Sequence, residues 1–219
     1  MTELEAIRER HSVRVFKDLP FDRATVSALR KAAEKCNKEG GMRFQLIVNE
    51  PEAFQADRQS YGSFQNCRNY IALVAPRGKD EQVGYYGEKF VLAAQTLGVN
   101  SCWVALTYKK GKTDVRVGAG EKLYMVIALG YGENHGHARK SKAPADVSDI
   151  TDDAPQWYRD GIEAALLAPT AVNQQKFRFE RDGDAVTAKA GFGVYAKVDL
   201  GIVKYHFEVG AGKENFRWA

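Results

Sequence analysis

Two apolar runs set the strongest limit on what this chain can fold into. Asn69-Tyr70-Ile71-Ala72-Leu73-Val74-Ala75 and Leu123-Tyr124-Met125-Val126-Ile127-Ala128-Leu129 are almost unbroken and of strand length. Each reads as a buried β-strand, and the second, ending in Gly130-Tyr131-Gly132, is the strongest strand in the chain. Helical periodicity lies on either side of them. Leu4, Ala6 and Ile7 share one side of a short opening helix capped by Thr2, and His11 to Phe16 leaves it in extended form. Asp22 caps a helix whose stripe is Val26, Leu29, Ala32 and Ala33, and Gly40-Gly41 stops it. Phe90, Val91, Ala94 and Leu97 mark a third helix, ended by Gly98. Arg43 to Val48 is a strand, Pro51 and Glu52 start a short helix, and Ser101 to Leu106 is a strand or tight connection. Further on, a helix is expected from Pro155 to Leu167 and another from Asp199 to Val209, stopped by Gly210. Asp182-Gly183-Asp184 reads as a hairpin turn with Ala185 to Ala190 as its return strand. Helices and strands therefore mix along the chain.

A chain of 219 residues suits one domain or two small halves, and 44% hydrophobic residues supply a sizeable core. Charged residues at 27% are ordinary for a soluble protein. A net charge of +4 is mild: it helps attract an anionic cofactor and argues little for nucleic acid. Cys36, Cys67 and Cys102 are odd in number and widely spaced, which points to a reducing compartment without a disulfide framework. The N-terminus lacks the apolar core of a signal peptide and no run is long enough to span a membrane, so a cytoplasmic protein is expected. Residues 133–153, rich in His, Gly, Lys, Pro and Asp, read as a connector between a first half, 1–132, and a second, 154–219. The halves show an internal repeat. Offset by 133, Leu29, Ala32, Ala33, Phe44 and Leu46 fall on Ile162, Ala165, Leu166, Phe177 and Phe179; offset by 112, Phe90, Val91, Leu97 and Gly98 fall on Ile202, Val203, Val209 and Gly210.

Two short motifs carry the chemistry. Arg10-His11-Ser12-Val13-Arg14 packs three potential cations and a hydroxyl into five residues. Such a set suits a phosphate, with forked guanidinium donors completed by the hydroxyl and backbone amides. Ala168-Pro169-Thr170-Ala171-Val172-Asn173-Gln174-Gln175-Lys176-Phe177 joins an apolar helix to a strand through a polar turn. Together these two stretches resemble the FMN-dependent nitroreductase family, which carries an Arg-Arg/His-Ser-x-Arg/Lys motif near the N-terminus and an Ala-Pro-Ser-x-x-Asn-x-Gln-Pro-Trp motif. Here the second motif keeps Ala, Pro, a hydroxyl, Asn and Gln and replaces Pro-Trp by Lys-Phe.

The resemblance implies a nitroreductase-like α+β fold, a mainly antiparallel sheet flanked by helices, in two pseudo-symmetric halves, with FMN as cofactor. Family members are typically homodimers with the flavin in the dimer interface. One subunit supplies the phosphate motif and the other the Pro-Ser-Asn turn. Here both motifs occur in one chain. The equivalent places, Lys35 to Gly40 and the acidic run Asp146 to Asp153, lack them. One chain is thus expected to mimic the family dimer, to hold about one flavin, and to be able to act as a monomer. By the same comparison, Arg10, His11, Ser12 and Arg14, joined by Lys140 and Lys142, hold the phosphate. Pro169, Thr170, Ala171 and Asn173 meet the ring. Val104 and Ala105 neighbour flavin N5, with Cys102 and Trp103 beside the ring. Within Ser60-Tyr61-Gly62-Ser63-Phe64, Ser63 is the candidate at the polar ring edge. Tyr85 and Tyr86, read as preceding the third helix, cover the substrate face.

The activity implied is hydride transfer from NAD(P)H to N5 and onward to a nitroaromatic, a quinone or a similar acceptor, with no dedicated acid or base. The sequence agrees in having no convincing triad: His11, His135, His137 and His206 have no Ser or Cys partner. His135-Gly136-His137 lacks a third ligand nearby, so no metal site is expected. Two other readings stand beside this one. The first is a catalytically silent FMN-binding protein for sensing or storage. The second is a basic module using Lys109-Lys110-Gly111-Lys112 and Arg139 to Lys142 for nucleic acid, which the low net charge disfavours.

Overall fold

A computed structural model describes residues 1–55 and 63–219. In chain order its elements are helix α1 (Glu3–Glu9), helix α2 (Arg23–Gly40), strand β1 (Gln45–Ile47), strand β2 (Asn69–Pro76) and helix α3 (Asp80–Thr96). Strands β3 (Asn100–Val104) and β4 (Glu121–Gly130), helix α4 (Pro144–Val147) and helix α5 (Gln156–Leu166) follow. The chain ends in the hairpin strands β5 (Phe177–Asp182) and β6 (Ala185–Ala190), helix α6 (Ala196–Ala211) and strand β7 (Arg217–Trp218). The chain divides into two compact units. One comprises 9–79 and 90–138; the other comprises 1–8, 80–89 and 139–219.

The first unit is built on an antiparallel sheet in the order β1-β2-β4-β3. The two apolar runs are its central strands, with Asn69 opposite Leu129 and Ile71 opposite Ile127. A central strand is covered on both faces, which is why these runs do not alternate: Tyr70 through Ala75 are all fully buried. The edge strands, β1 and β3, are short, three and five residues, which limits exposed backbone. Below the sheet, Phe16, Phe54, Tyr70, Cys102, Val104 and Val126 belong to one apolar cluster. Helix α2 starts where Asp22 accepts the Thr25 N–H at 2.7 Å, and it ends at Gly41, whose φ of 64° is the left-handed value that glycine tolerates. Leu29, Ala33 and Cys36 form its buried stripe.

In the second unit, Thr2 and Glu5 form a reciprocal capping box at α1: the Glu5 N–H donates to Thr2 Oγ1 at 3.2 Å and the Thr2 N–H to Glu5 Oε2 at 2.8 Å. Strands β5 and β6 pair as the expected hairpin, and β7 adds in parallel to β6. Helix α6 is buried along most of its length and packs through Phe207 against Tyr158 and Phe179. Three sequence expectations change here. Helix α6 runs through Gly210 to Ala211, and Gly212 (φ 75°) ends it. Gly210 lies where α5 crosses: a Cβ there would sit 2.6 Å from the Asp160 carbonyl oxygen. Helix α3 begins at Asp80, so Tyr85 and Tyr86 lie inside it instead of ahead of it. Gly84 sits inside the helix where α3 meets α6: a Cβ there would lie 2.9 Å from the Val198 carbonyl carbon. Finally, the acidic stretch after Lys142 is structured. Asp146 accepts the Ala143 N–H at 3.0 Å at the start of α4, and Asp149 accepts the Tyr158 hydroxyl at 2.6 Å and the Arg181 N–H at 2.9 Å. Among the described residues, no helix is long and apolar enough to cross a membrane.

Candidate functional site

The residues singled out in the sequence fall into two clusters, one in each unit. In the first unit, the Arg10–Arg14 motif leaves α1 in extended form and runs beside the start of β3. Ser12 bridges to Ser101, and the Val13 N–H donates to the Ser101 carbonyl at 3.0 Å. Val15 bridges to Gln65, and the Gln65 N–H donates to the Arg14 carbonyl at 2.9 Å, so half-buried Ser63 is two residues from a backbone partner of the motif. Ser60, Tyr61 and Gly62 lie outside the described residues.

Register brings the motif to Cys102. Burial pushes the Cys102 thiol well above its ordinary range, while the Arg14 charge, the Ser12 hydroxyl and the Arg10 charge pull it back. All three groups therefore act on the sulfur, yet the thiol stays protonated and is no nucleophile. Arg10 is only 3% exposed, Arg14 is exposed, and His11 and Ser12 are half-buried. Gly136 closes over His11 at φ 74°, where a Cβ would sit 2.7 Å from the His11 Cβ. Both the backbone angle and the contact require glycine there. Val104 is buried, and Trp103 and Ala105 are half-buried at the end of β3. Two guanidiniums, a hydroxyl and an imidazole gathered on one extended segment form a donor set suited to a phosphate.

In the second unit, the Pro169–Asn173 turn is held from two sides. On one side is the basic loop: Asn173 Nδ2 and Gln175 Nε2 donate to the Lys140 carbonyl at 2.8 and 3.0 Å. Lys142 donates from its N–H to Gln175 Oε1 and from Nζ to the Gln175 carbonyl, each at 2.9 Å. The structure thus joins Lys140 and Lys142 to the turn, a pairing the spacing in sequence did not suggest. Within the turn, Thr170 Oγ1 accepts the Gln175 N–H at 3.1 Å. On the other side is Asp199, which the sequence reading missed as a site residue. Its carboxylate accepts the Ala171 N–H at 3.0 and 3.1 Å and Gln174 Nε2 at 2.7 Å. Burial pushes its carboxyl up to about 6 against the opposing pull of these two donors. The turn is strained: Val172, Asn173 and Gln175 have φ of 45°, 56° and 44°. Positive φ costs a non-glycine residue on the order of 1–3 kcal/mol, most for a β-branched one, and concentrates at functional sites.

Tyr85 and Tyr86, also in this unit, meet edge to face at 5.0 Å, and Tyr85 does the same with Tyr205. The Tyr85 hydroxyl donates to Glu208 Oε2 at 2.6 Å. The lysines of the alternative nucleic-acid reading, Lys109, Lys110 and Lys112, are exposed, and Lys112 pairs with Glu52 at 3.3 Å. Among the described residues, no group of three His, Cys, Asp or Glu could hold a metal ion.

With this geometry in hand, the chain was compared with known proteins. No curated protein matches it. The fold is similar to that of a "putative nitroreductase" from Thermotoga maritima, with 21% identity and a TM-score of 0.69 over 98% of this chain and 85% of that one. It is similar to a "putative nitroreductase in complex with FMN" from Desulfovibrio desulfuricans, at 17% identity and a TM-score of 0.55 over 71% and 99%. A third likeness is to a "Putative NADH Oxidase" from Clostridium acetobutylicum, at 18% identity and a TM-score of 0.50 over 68% and 99%. A family model described as "Putative TM nitroreductase" matches residues 3–211, nearly the whole chain and both motifs, so the chain belongs to this nitroreductase family.

Proposed function

We propose that the chain is an FMN-dependent oxidoreductase of nitroreductase type, drawing electrons from NAD(P)H and passing them to a nitroaromatic, a quinone or a similar acceptor. The observation that carries this reading is the seating of Arg10-His11-Ser12-Val13-Arg14 against β3, which gathers two guanidiniums and a hydroxyl around Cys102. That donor set fits a phosphate. Arg10, already buried, keeps its charge because arginine does not deprotonate in proteins. Arg14, Ser12 and His11 complete the phosphate contacts.

FMN, when bound, supplies the redox chemistry, accepting hydride at N5 and returning electrons to the acceptor. The chain's own part is to bind and orient. Val104 and Ala105 would present backbone at the N5 side, with Cys102 and Trp103 beside the ring. Cys102 serves as apolar wall, consistent with its raised thiol. Pro169, Thr170, Ala171 and Asn173 would border the ring, Ser63 would be the candidate for its polar edge, and Tyr85 and Tyr86 those for the acceptor. Backbone N–H groups held in place by the fold would favour negative charge on FMN when it is bound, with no dedicated proton donor. The same reading has the halves 1–132 and 154–219 arise by duplication, with one flavin per chain and no need to dimerise, in a reducing, cytoplasmic setting consistent with three free cysteines.

The test is the visible spectrum of the purified protein, with released flavin quantified per chain, followed by anaerobic addition of NADH or NADPH. The expected result is close to one FMN per chain, bleached by a nicotinamide donor. Two flavins per chain would refute the single-site argument, and no flavin after soaking in FMN would overturn the cofactor assignment. Flavin that neither donor bleaches would move the chain to the silent-binder reading.

A further inference from the structure

We infer that Asp199 is a positioning residue for the Thr170–Gln175 turn, locking that turn and the Gly193–Tyr195 loop into one fixed edge. The inference rests on the reading above, in which this turn borders the flavin ring. Asp199 stands in the first turn of α6 and is 4% exposed. Its side-chain bonds go to the turn: both oxygens face the Ala171 N–H, and Oδ2 takes Gln174 Nε2. The Gln174 amide nitrogen also donates to the Val194 carbonyl at 2.8 Å, so one amide ties carboxylate, turn and loop together. Gly193 closes against Gln174 Oε1 with no room for a Cβ. The loop continues into Tyr195, at φ 59°, whose carbonyl accepts the Asp199 N–H at 2.9 Å. Two segments with positive φ thus converge on Asp199, the turn through its carboxylate and Tyr195 through its backbone N–H.

The placement is hard to explain by stability alone. The groups that shift Asp199 are its burial, the Gln174 amide and the Ala171 N–H, with no formal charge among them. A buried carboxyl without a cation costs the fold stability. What it secures is the backbone of a turn that holds Val172 outward, 94% exposed, at φ 45°. Without an acceptor at this position the Ala171 N–H loses its partner, and residues with positive φ relax to commoner conformations. A ring contact built on Thr170, Ala171 and Asn173 depends on that backbone staying put.

The test uses the full chain with Asp199→Ala, Asp199→Asn and Gln174→Ala, each checked for folding by circular dichroism. Two readouts are taken: FMN affinity by fluorescence titration, and, without flavin, the Ala171 amide shift against pH by 1H–15N NMR. Positioning predicts an Ala171 shift in the wild type that titrates near 6 and is flat in Asp199→Asn. It predicts FMN affinity weakened about tenfold or more in Asp199→Ala, as expected when a buried donor loses its acceptor, and partial rescue in Asp199→Asn, which keeps one carbonyl for Ala171. Gln174→Ala, which leaves the carboxylate in place, should also weaken FMN and keeps the test open if Asp199→Ala does not fold. Equal FMN affinity in wild type, Asp199→Ala and Gln174→Ala would overturn the inference. A wild type that binds no FMN would overturn the functional reading instead. The flavin-free Ala171 amide then decides on positioning, since a chemical shift unchanged between the wild type, Asp199→Ala and Asp199→Asn would refute it.

Discussion

The two units solve the problem of a packed interior in different ways. In the sheet unit, β2 and β4 pair at the centre of the sheet with their apolar side chains buried, and register alone brings most of them together. In the helical unit, α3, α5 and α6 approach so closely that glycines sit at the crossings, and polar groups are buried between them. His206 and Glu88 are both fully buried, with His206 Nε2 2.9 Å from Glu88 Oε1 and Nδ1 3.0 Å from the Ala164 carbonyl. A carbonyl only accepts, so Nδ1 carries a proton, and the pair shares one further proton between Nε2 and the carboxylate. The first interior is filled chiefly by apolar side chains, with Arg10, Asn69 and Ser101 among its few buried polar groups. The second depends on particular atoms.

That contrast can be broken by substitution, beginning with the polar pair. Glu88→Ala should cost about 3–5 kcal/mol, because removing one partner strands the other in the interior. Glu88→Gln, which can still donate to neutral His206, should cost only about 1 kcal/mol. Equal losses for the two, measured by chemical denaturation, would mean that shape and not proton sharing holds the helices. Gly201→Ala comes next, at about 3 kcal/mol. Its Cβ would overlap the Glu81 carbonyl and lie 2.6 Å from the Tyr85 nitrogen, and neither is a side chain that can turn away. In the sheet unit Ile127→Val, trimming one methylene from the middle of β4, should cost only about 1 kcal/mol. An Ile127→Val loss as large as that of Gly201→Ala would erase the distinction between the two interiors.

How much could be read in advance follows the same division. The caps at Thr2 and Asp22, the stop at Gly41, the buried runs and the hairpin at Gly183 all depend on neighbours within a few residues, and all are found where local chemistry placed them. Gly210 was misread because a glycine that ends a helix and one that admits a crossing helix look the same in one dimension. Of the candidate site, the Arg10–Arg14 motif and the Pro169–Asn173 turn were legible because each is contiguous. Asp199, twenty-eight residues from Ala171, and Glu88, separated from His206 by 118, left no local pattern to find.

By itself, then, the sequence determined the α+β character, the main elements and the two motifs that mark the family, because propensity, capping and hydrophobic period act over short separations. Tertiary structure decided the rest: that the cationic motif lies along β3 beside Cys102, that Lys140 and Lys142 brace the turn, and that a buried aspartate holds it. The physical reason is that the state of a polar group depends on which partners reach it once water has left, and those partners come from distant parts of the chain.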